Sequence, residues 1–141
     1  MKTIILLLTV LSLNCAAHAQ DSWKIVHNGK EKINTTEEDE SANRFSITAE
    51  DLKKSDNFLW VVYKDADKEE GWKRVIALFD EKDNEIVKHG GELFKVYNGS
   101  LRSYIRGRKE LRVFTWSLPT DPNVAATIRI RRVHLGTIEI K

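Results

Sequence analysis

Cysteine is almost missing from this chain of 141 residues: there is one, Cys15. It falls inside an apolar N-terminal stretch, so a chain that starts near Gln20 has none and forms no disulfide. Packing alone must then stabilise it. Small extracellular animal domains are commonly stapled by disulfides, so a cysteine-free exported domain points to a bacterial envelope or secreted protein. Long apolar runs are missing as well. The longest, Ile4 to Leu13, falls short of the ~20 residues that a membrane-spanning helix needs. Catalytic and metal signatures are equally sparse. No serine stands in a Gly-x-Ser-x-Gly elbow. His27, His89 and His134 show neither the His-x-x-x-His nor the glutamate-flanked spacing of a zinc site. Paired carboxylates could serve a glycosidase, but sequence alone selects no pair among the 21 acids.

What is present begins with residues 1–20. Lys2 supplies a positive start, Ile4 to Leu13 an apolar core, and Ala17-His18-Ala19 the small residues of a cleavage site before Gln20. Together they read as a cleaved secretory signal peptide, leaving one domain over residues 21–141, exported to the periplasm or beyond. In the minor alternative Cys15 is the lipidated first residue of a lipoprotein, although Leu13-Asn14 is a poor lead-in for that modification. Asn34-Thr35-Thr36 and Asn98-Gly99-Ser100 match the N-glycosylation pattern, which in a bacterial chain reads as chance.

The domain is long enough to bury a core unaided. Trp23 to His27 reads as a strand, and Asn28-Gly29 suits a two-residue hairpin turn because both positions tolerate positive φ. Lys30 to Asn34 returns as its partner. The acids Glu37 to Glu40 must lie in a solvated loop. Arg44 to Thr48 is a short strand, and Thr48 with Asp51 resembles a capping box for one helical turn over 49–54. Phe58 to Tyr63 is apolar on both faces, which predicts a central strand between two covered layers, with Trp60 in the core. Further strands are expected at Trp72–Phe79, Glu85–Lys88, Leu93–Tyr97, Leu111–Leu118 and Ala126–Lys141. The last is interrupted near Arg131-Arg132 and Gly136, where alternation slips as a β-bulge would make it. Ser100 can cap a short helix ended by Gly107. Eight or nine strands with one or two single helical turns predict an all-β, two-sheet β-sandwich, jelly-roll or immunoglobulin-like.

The stretch Thr115-Trp116-Ser117-Leu118-Pro119-Thr120-Asp121-Pro122, followed by Ile128 to Leu135, resembles a segment of small, exported, uncharacterised β-sandwich proteins of Gram-negative bacteria. The resemblance implies the compartment. It brings no activity or ligand with it.

Charge is uneven along the chain. Residues 31–70 carry 12 acidic and 6 basic side chains, whereas residues 101–141 carry 9 basic and 3 acidic. If residues 126–141 form one strand, Arg129 and Arg131 alternate against Ile128 and Ile130 and share its solvent face. With Arg132 and Arg112 they form a stripe suited to carboxylates or phosphates. The bland counterpart is pairing with the acids of 31–70 on neighbouring strands. Among the tryptophans, Trp72 and Trp23 lie near strand starts and are the candidates for sugar stacking, while Trp116 is expected in the core. Asp65, Asp67 and Glu69 offer alternate oxygens for a calcium ion, but the glycine is misplaced and no distal glutamate follows. The expectation is a non-catalytic exported binding module. Its partner is a protein or anionic glycan at Arg129, Arg131, Arg132 and Arg112, with carbohydrate at an exposed tryptophan such as Trp72 as the alternative and a small hydrolase as the rival class. Export argues against a nucleic-acid partner. Glycan or protein binding should need an open face, whereas catalysis should gather His134 or His89 with carboxylates in a pocket.

Overall fold

The computed structural model describes residues 19–141; Cys15 and all but the last two residues of the expected signal segment 1–20 lie outside them. No cysteine falls within residues 19–141, so no disulfide contributes. No helix among the described residues is long and apolar enough to cross a membrane.

Nine strands form two sheets. One contains β1 (Ser22–His27), β2 (Lys30–Thr35), β4 (Phe58–Lys64) and β7 (Leu93–Tyr97), in the order β2-β1-β4-β7. The other contains β3 (Arg44–Ile47), β5 (Trp72–Asp80), β6 (Glu85–Gly90), β8 (Glu110–Pro119) and β9 (Val133–Ile140), in the order β3-β9-β8-β5-β6. All pairs are antiparallel except β3 with β9. The chain is thus an all-β, two-sheet β-sandwich, with the short β3 running parallel to the last strand at one edge. A 3-10 turn (Glu50–Leu52), α1 (Asn98–Ile105) and α2 (Pro122–Ala125) complete the chain.

Local chemistry explains the turns. Asn28 and Gly29 both have positive φ and close the β1–β2 hairpin. Thr48 and Asp51 bond reciprocally at the 3-10 turn: the Thr48 N–H donates to Asp51 Oδ2 at 2.8 Å, and the Asp51 N–H donates to Thr48 Oγ1 at 3.4 Å. Asp80 organises the β5–β6 turn by accepting from the Lys82 and Asn84 N–H groups and the Asn84 amide, at 2.9, 2.9 and 3.0 Å.

The core lies between the sheets. Ile25, Leu59, Val61 and Phe94 from the first face Ile76, Leu78, Leu111, Val113 and Ile138 from the second. The sheets pack tightly at Gly136, where a side-chain Cβ would meet the Ile33 and Ile25 Cδ1 atoms at 2.6 and 2.8 Å. A bulge in β9 precedes it, since Val113 pairs with Gly136 and Phe114 with His134. Leu135 is the extra residue, and its carbonyl accepts the Trp23 indole N–H across the core at 2.9 Å.

At the α1 end, fully buried Asn98 ties the start of α1 to the β1–β2 turn and to the 3-10 turn. Its amide nitrogen lies within hydrogen-bond reach of Asn28 Oδ1 and of the Asp51 and Lys54 carbonyls, and its oxygen pairs with His27 Nε2 at 2.9 Å. With its amide so committed, Asn98 cannot carry a glycan in the folded chain.

Three expectations are corrected. Residues 126–132 are not strand: Asp121 caps α2 by accepting from the Asn123 N–H, and β9 begins only at Val133. β4 is central in its sheet but covered on one face only, so Trp60 is not core. Trp116 is half-buried on the outer face of the five-stranded sheet, against the Ala77–Phe79–Phe114 cluster.

Gly136→Ala should lower stability by about 1–3 kcal/mol, because the added methyl overpacks two buried isoleucines. Urea unfolding measures this, and an unchanged midpoint would contradict the close approach of the sheets. The Asp80 carboxyl is held down to about 2 by the Asn84 side chain and backbone. Its folded value is below its ordinary 3.8, so its contribution is present above that value and lost as pH falls toward 2. Asp80→Asn should therefore be less stable at neutral pH and show a shallower acid loss, read from unfolding curves at successive pH values.

Candidate functional site

The expected arginine stripe does not form. Arg129, Arg131 and Arg132 lie in the irregular segment before β9, and Arg112 lies on β8. Arg131 pairs with Glu38, whose other oxygen accepts the His134 backbone N–H at 3.0 Å. Burial alone would raise the Glu38 pKa, but that N–H and Arg131 hold it below its ordinary value. Arg132 and Arg112 converge on Asp83, at 3.0 and 3.6 Å. The Arg132 guanidinium also sits 4.7 Å from both the Phe79 and Phe114 ring centres, capping the outer cluster of the five-stranded sheet. Arg131 thus does pair with an acid of the 31–70 region, and Arg132 with one outside it. Arg129 makes no hydrogen bond or ion pair among the described residues.

The tryptophans also exchange places. Trp23 is 3% exposed, stacked 6.0 Å from Tyr63 and bonded to Leu135. Trp72 is 40% exposed, as the sequence suggested, and Trp60 is 38% exposed. Trp60 belongs to a group. Alternation on β4 and β7 sends Phe58, Trp60, Val62, Leu93, Lys95 and Tyr97 outward, with Phe58 opposite Tyr97, Trp60 opposite Lys95 and Val62 opposite Leu93. Leu93 is 56% and Tyr97 49% exposed. Phe58 meets Trp60 and Tyr97 edge to face, with ring centres 6.5 and 6.0 Å apart. The Lys95 ammonium lies 4.0 Å from the Phe58 ring centre and 4.8 Å from that of Tyr97. Phe58, Trp60, Leu93 and Lys95 line a shallow depression of about 300 Å³.

Charge on this face is lopsided. Lys24 on β1 reaches Glu31 on β2 at 3.6 Å, but Lys64 and Lys95 form no ion pair among the described residues. An apolar, aromatic surface with two free ammonium groups is thereby left in solvent. Sequence reasoning missed it because the apolar run of β4 does not reveal which face the second sheet covers.

Trp72 lines a different feature, a cleft of about 390 Å³ at the opposite end of the sandwich from Asn98. Asp65, Asp67 and Glu69 also line it, yet they do not form a cation cage. Asp65 is committed to Arg74 at 2.7 Å, and among the described residues no three acids, histidines or cysteines cluster for a metal. The cleft lining contains no histidine. His134 is buried elsewhere, its Nε2 2.8 Å from Thr137 Oγ1, and burial lowers its pKa against the opposing pull of Glu40 and Glu38. His89 packs edge to face on Phe94.

No family model, curated protein or solved structure matches this chain.

If Arg132 is a clamp on the outer cluster, Arg132→Ala should cost about 1 kcal/mol, the combined scale of an exposed cation–π contact and a surface ion pair. Arg129→Ala should leave the urea midpoint unchanged. Equal midpoints for the two variants would contradict the clamp.

Proposed function

We propose that this chain is an exported, non-catalytic binding module that holds an anionic glycan on the outer face of its four-stranded sheet. One observation carries the reading: Trp60, Leu93 and Tyr97 are exposed together beside Lys95, a lysine with no carboxylate partner. Apolar surface gathered in this way marks an interaction site rather than ordinary scatter. Pyranose rings present apolar faces that lie against aromatic rings, and uronic-acid carboxylates suit the ammonium groups of Lys64 and Lys95. Three of the four arginines of the expected stripe, Arg131, Arg132 and Arg112, are turned toward Glu38, Asp83 and the aromatic cluster, which favours the sheet face as the site. Export rests on residues 1–20 and on the resemblance over Thr115 to Leu135. The cleft lining has no histidine, and two of its four carboxylates, Asp65 with Arg74 and Glu92 with Lys68, are engaged, which supports binding over acid–base chemistry.

Affinity electrophoresis in gels containing polygalacturonate or an uncharged glucan tests this. Retardation by the polyuronate should weaken with added salt, because exposed charge contacts are screened. Trp60→Ala should weaken it by about tenfold or more, the scale of a central aromatic anchor. Lys95→Ala should remove part of the salt dependence. Polyuronate retardation that does not weaken with salt, or an unaffected Trp60→Ala variant, would sink the reading.

A further inference from the structure

The Trp72 cleft shares no lining residue with the sheet face. Its volume, about 390 Å³, is within the range of small-molecule sites, ~300–1,000 Å³. It opens between the two sheets where the core ends. Arg74 stands at that boundary in a fixed position. Its guanidinium lies 4.0 Å from the Tyr63 ring centre and donates to Asp65 at 2.7 Å and to Thr115 Oγ1 at 3.2 Å. Tyr63 is held in turn, its hydroxyl donating to Asp21 at 2.6 Å, and the same aspartate accepts the Ala66 N–H at the start of the cleft loop. The floor of the cleft, Arg74 with Tyr63 and Asp65, is thus fixed before a ligand enters.

The lining chemistry narrows the ligand. Trp72 offers an exposed indole, whose N–H makes no hydrogen bond among the described residues. Around it stand four carboxylates, Asp65, Asp67, Glu69 and Glu92, and three cations, Lys68, Lys73 and Arg74. Two ion pairs are internal, Asp65 with Arg74 and Glu92 with Lys68 at 2.9 Å. Asp67 and Glu69 of one sign and Lys73 of the other are left without ion-pair partners among the described residues. An ionic ligand of either sign would meet its own charge beside every partner. A hydroxyl instead donates to a carboxylate and accepts from an ammonium, so a mixed lining favours a neutral polyol. A polyol with one apolar face matches the indole as well.

We propose that this cleft is a second ligand site, separate from the sheet face, which takes a single neutral pyranose. Trp72 stacks on the ring, while Asp67 and Glu69 accept from its hydroxyls.

Saturation-transfer NMR on the purified protein tests the site, using the methyl glycosides of glucose, mannose and galactose, with glucuronate and glucosamine as charged counterparts. At least one neutral glycoside should bind at millimolar concentration, more tightly than its charged counterparts. Trp72→Ala should weaken it by about tenfold, and Trp72→Phe, which keeps a ring, by less. Trp60→Ala should bind the glycoside as the unaltered protein does. Binding by the charged sugars only, by no neutral sugar, or undiminished binding in Trp72→Ala would each overturn the proposal. Polyuronate retardation of Trp72→Ala reports on the sheet face independently, so the failure of one site is separable from the failure of the other.

Discussion

The junction at Gly136 is the constraint on which the rest of the sandwich depends. The missing side chain of Gly136 leaves room for the Ile25 and Ile33 Cδ1 atoms of the opposite sheet, which an added Cβ would meet at 2.8 and 2.6 Å. The bulge just before it turns the Leu135 carbonyl toward the Trp23 indole. A bulge exposes backbone polar groups that a buried site must satisfy, and the indole N–H does so from the facing sheet. One glycine, one extra residue and one tryptophan thus fix the spacing and mutual position of both sheets.

With the inner faces committed to each other, the two outer faces have different fates. The five-stranded sheet carries Ala77, Phe79, Phe114 and Trp116 outward, shielded in part by Arg132 from the segment that precedes β9. Among the described residues the four-stranded sheet has only Lys95 over Phe58 and Tyr97, and Trp60, Leu93 and Tyr97 stay exposed. The ends of the sandwich differ as well. Asn98 closes one end with a saturated amide network, whereas Arg74, braced on Tyr63 and Asp65, leaves the other open as a polar cleft. Both proposed sites occupy surface that packing did not consume.

Strand positions were largely legible in the sequence because turn chemistry is local. Asn28-Gly29, the Thr48–Asp51 pair and the Asp80–Asn84 turn announce themselves through residue types that tolerate positive φ or bond their own backbone. Facing was less legible. Phe58 to Tyr63 is apolar throughout, and only the second sheet decides that Leu59, Val61 and Tyr63 are inside while Trp60 is outside. Trp23 was misread for the same reason, since its place near a strand start says nothing of the carbonyl waiting across the core. The arginine stripe required residues 126–132 to extend β9. Asp121 starts a helical turn instead, and ion pairs between residues far apart in the chain then claim Arg131 and Arg132.

The central claim is that the uncovered face of the four-stranded sheet is the binding surface. Amide chemical-shift mapping with a uronic-acid oligosaccharide tests it most directly. The account predicts shifts concentrated at Trp60, Leu93, Lys95 and Tyr97 on β4 and β7, with residues 129–132 unmoved. Shifts centred on Arg129 to Arg132, with β4 and β7 silent, would contradict it.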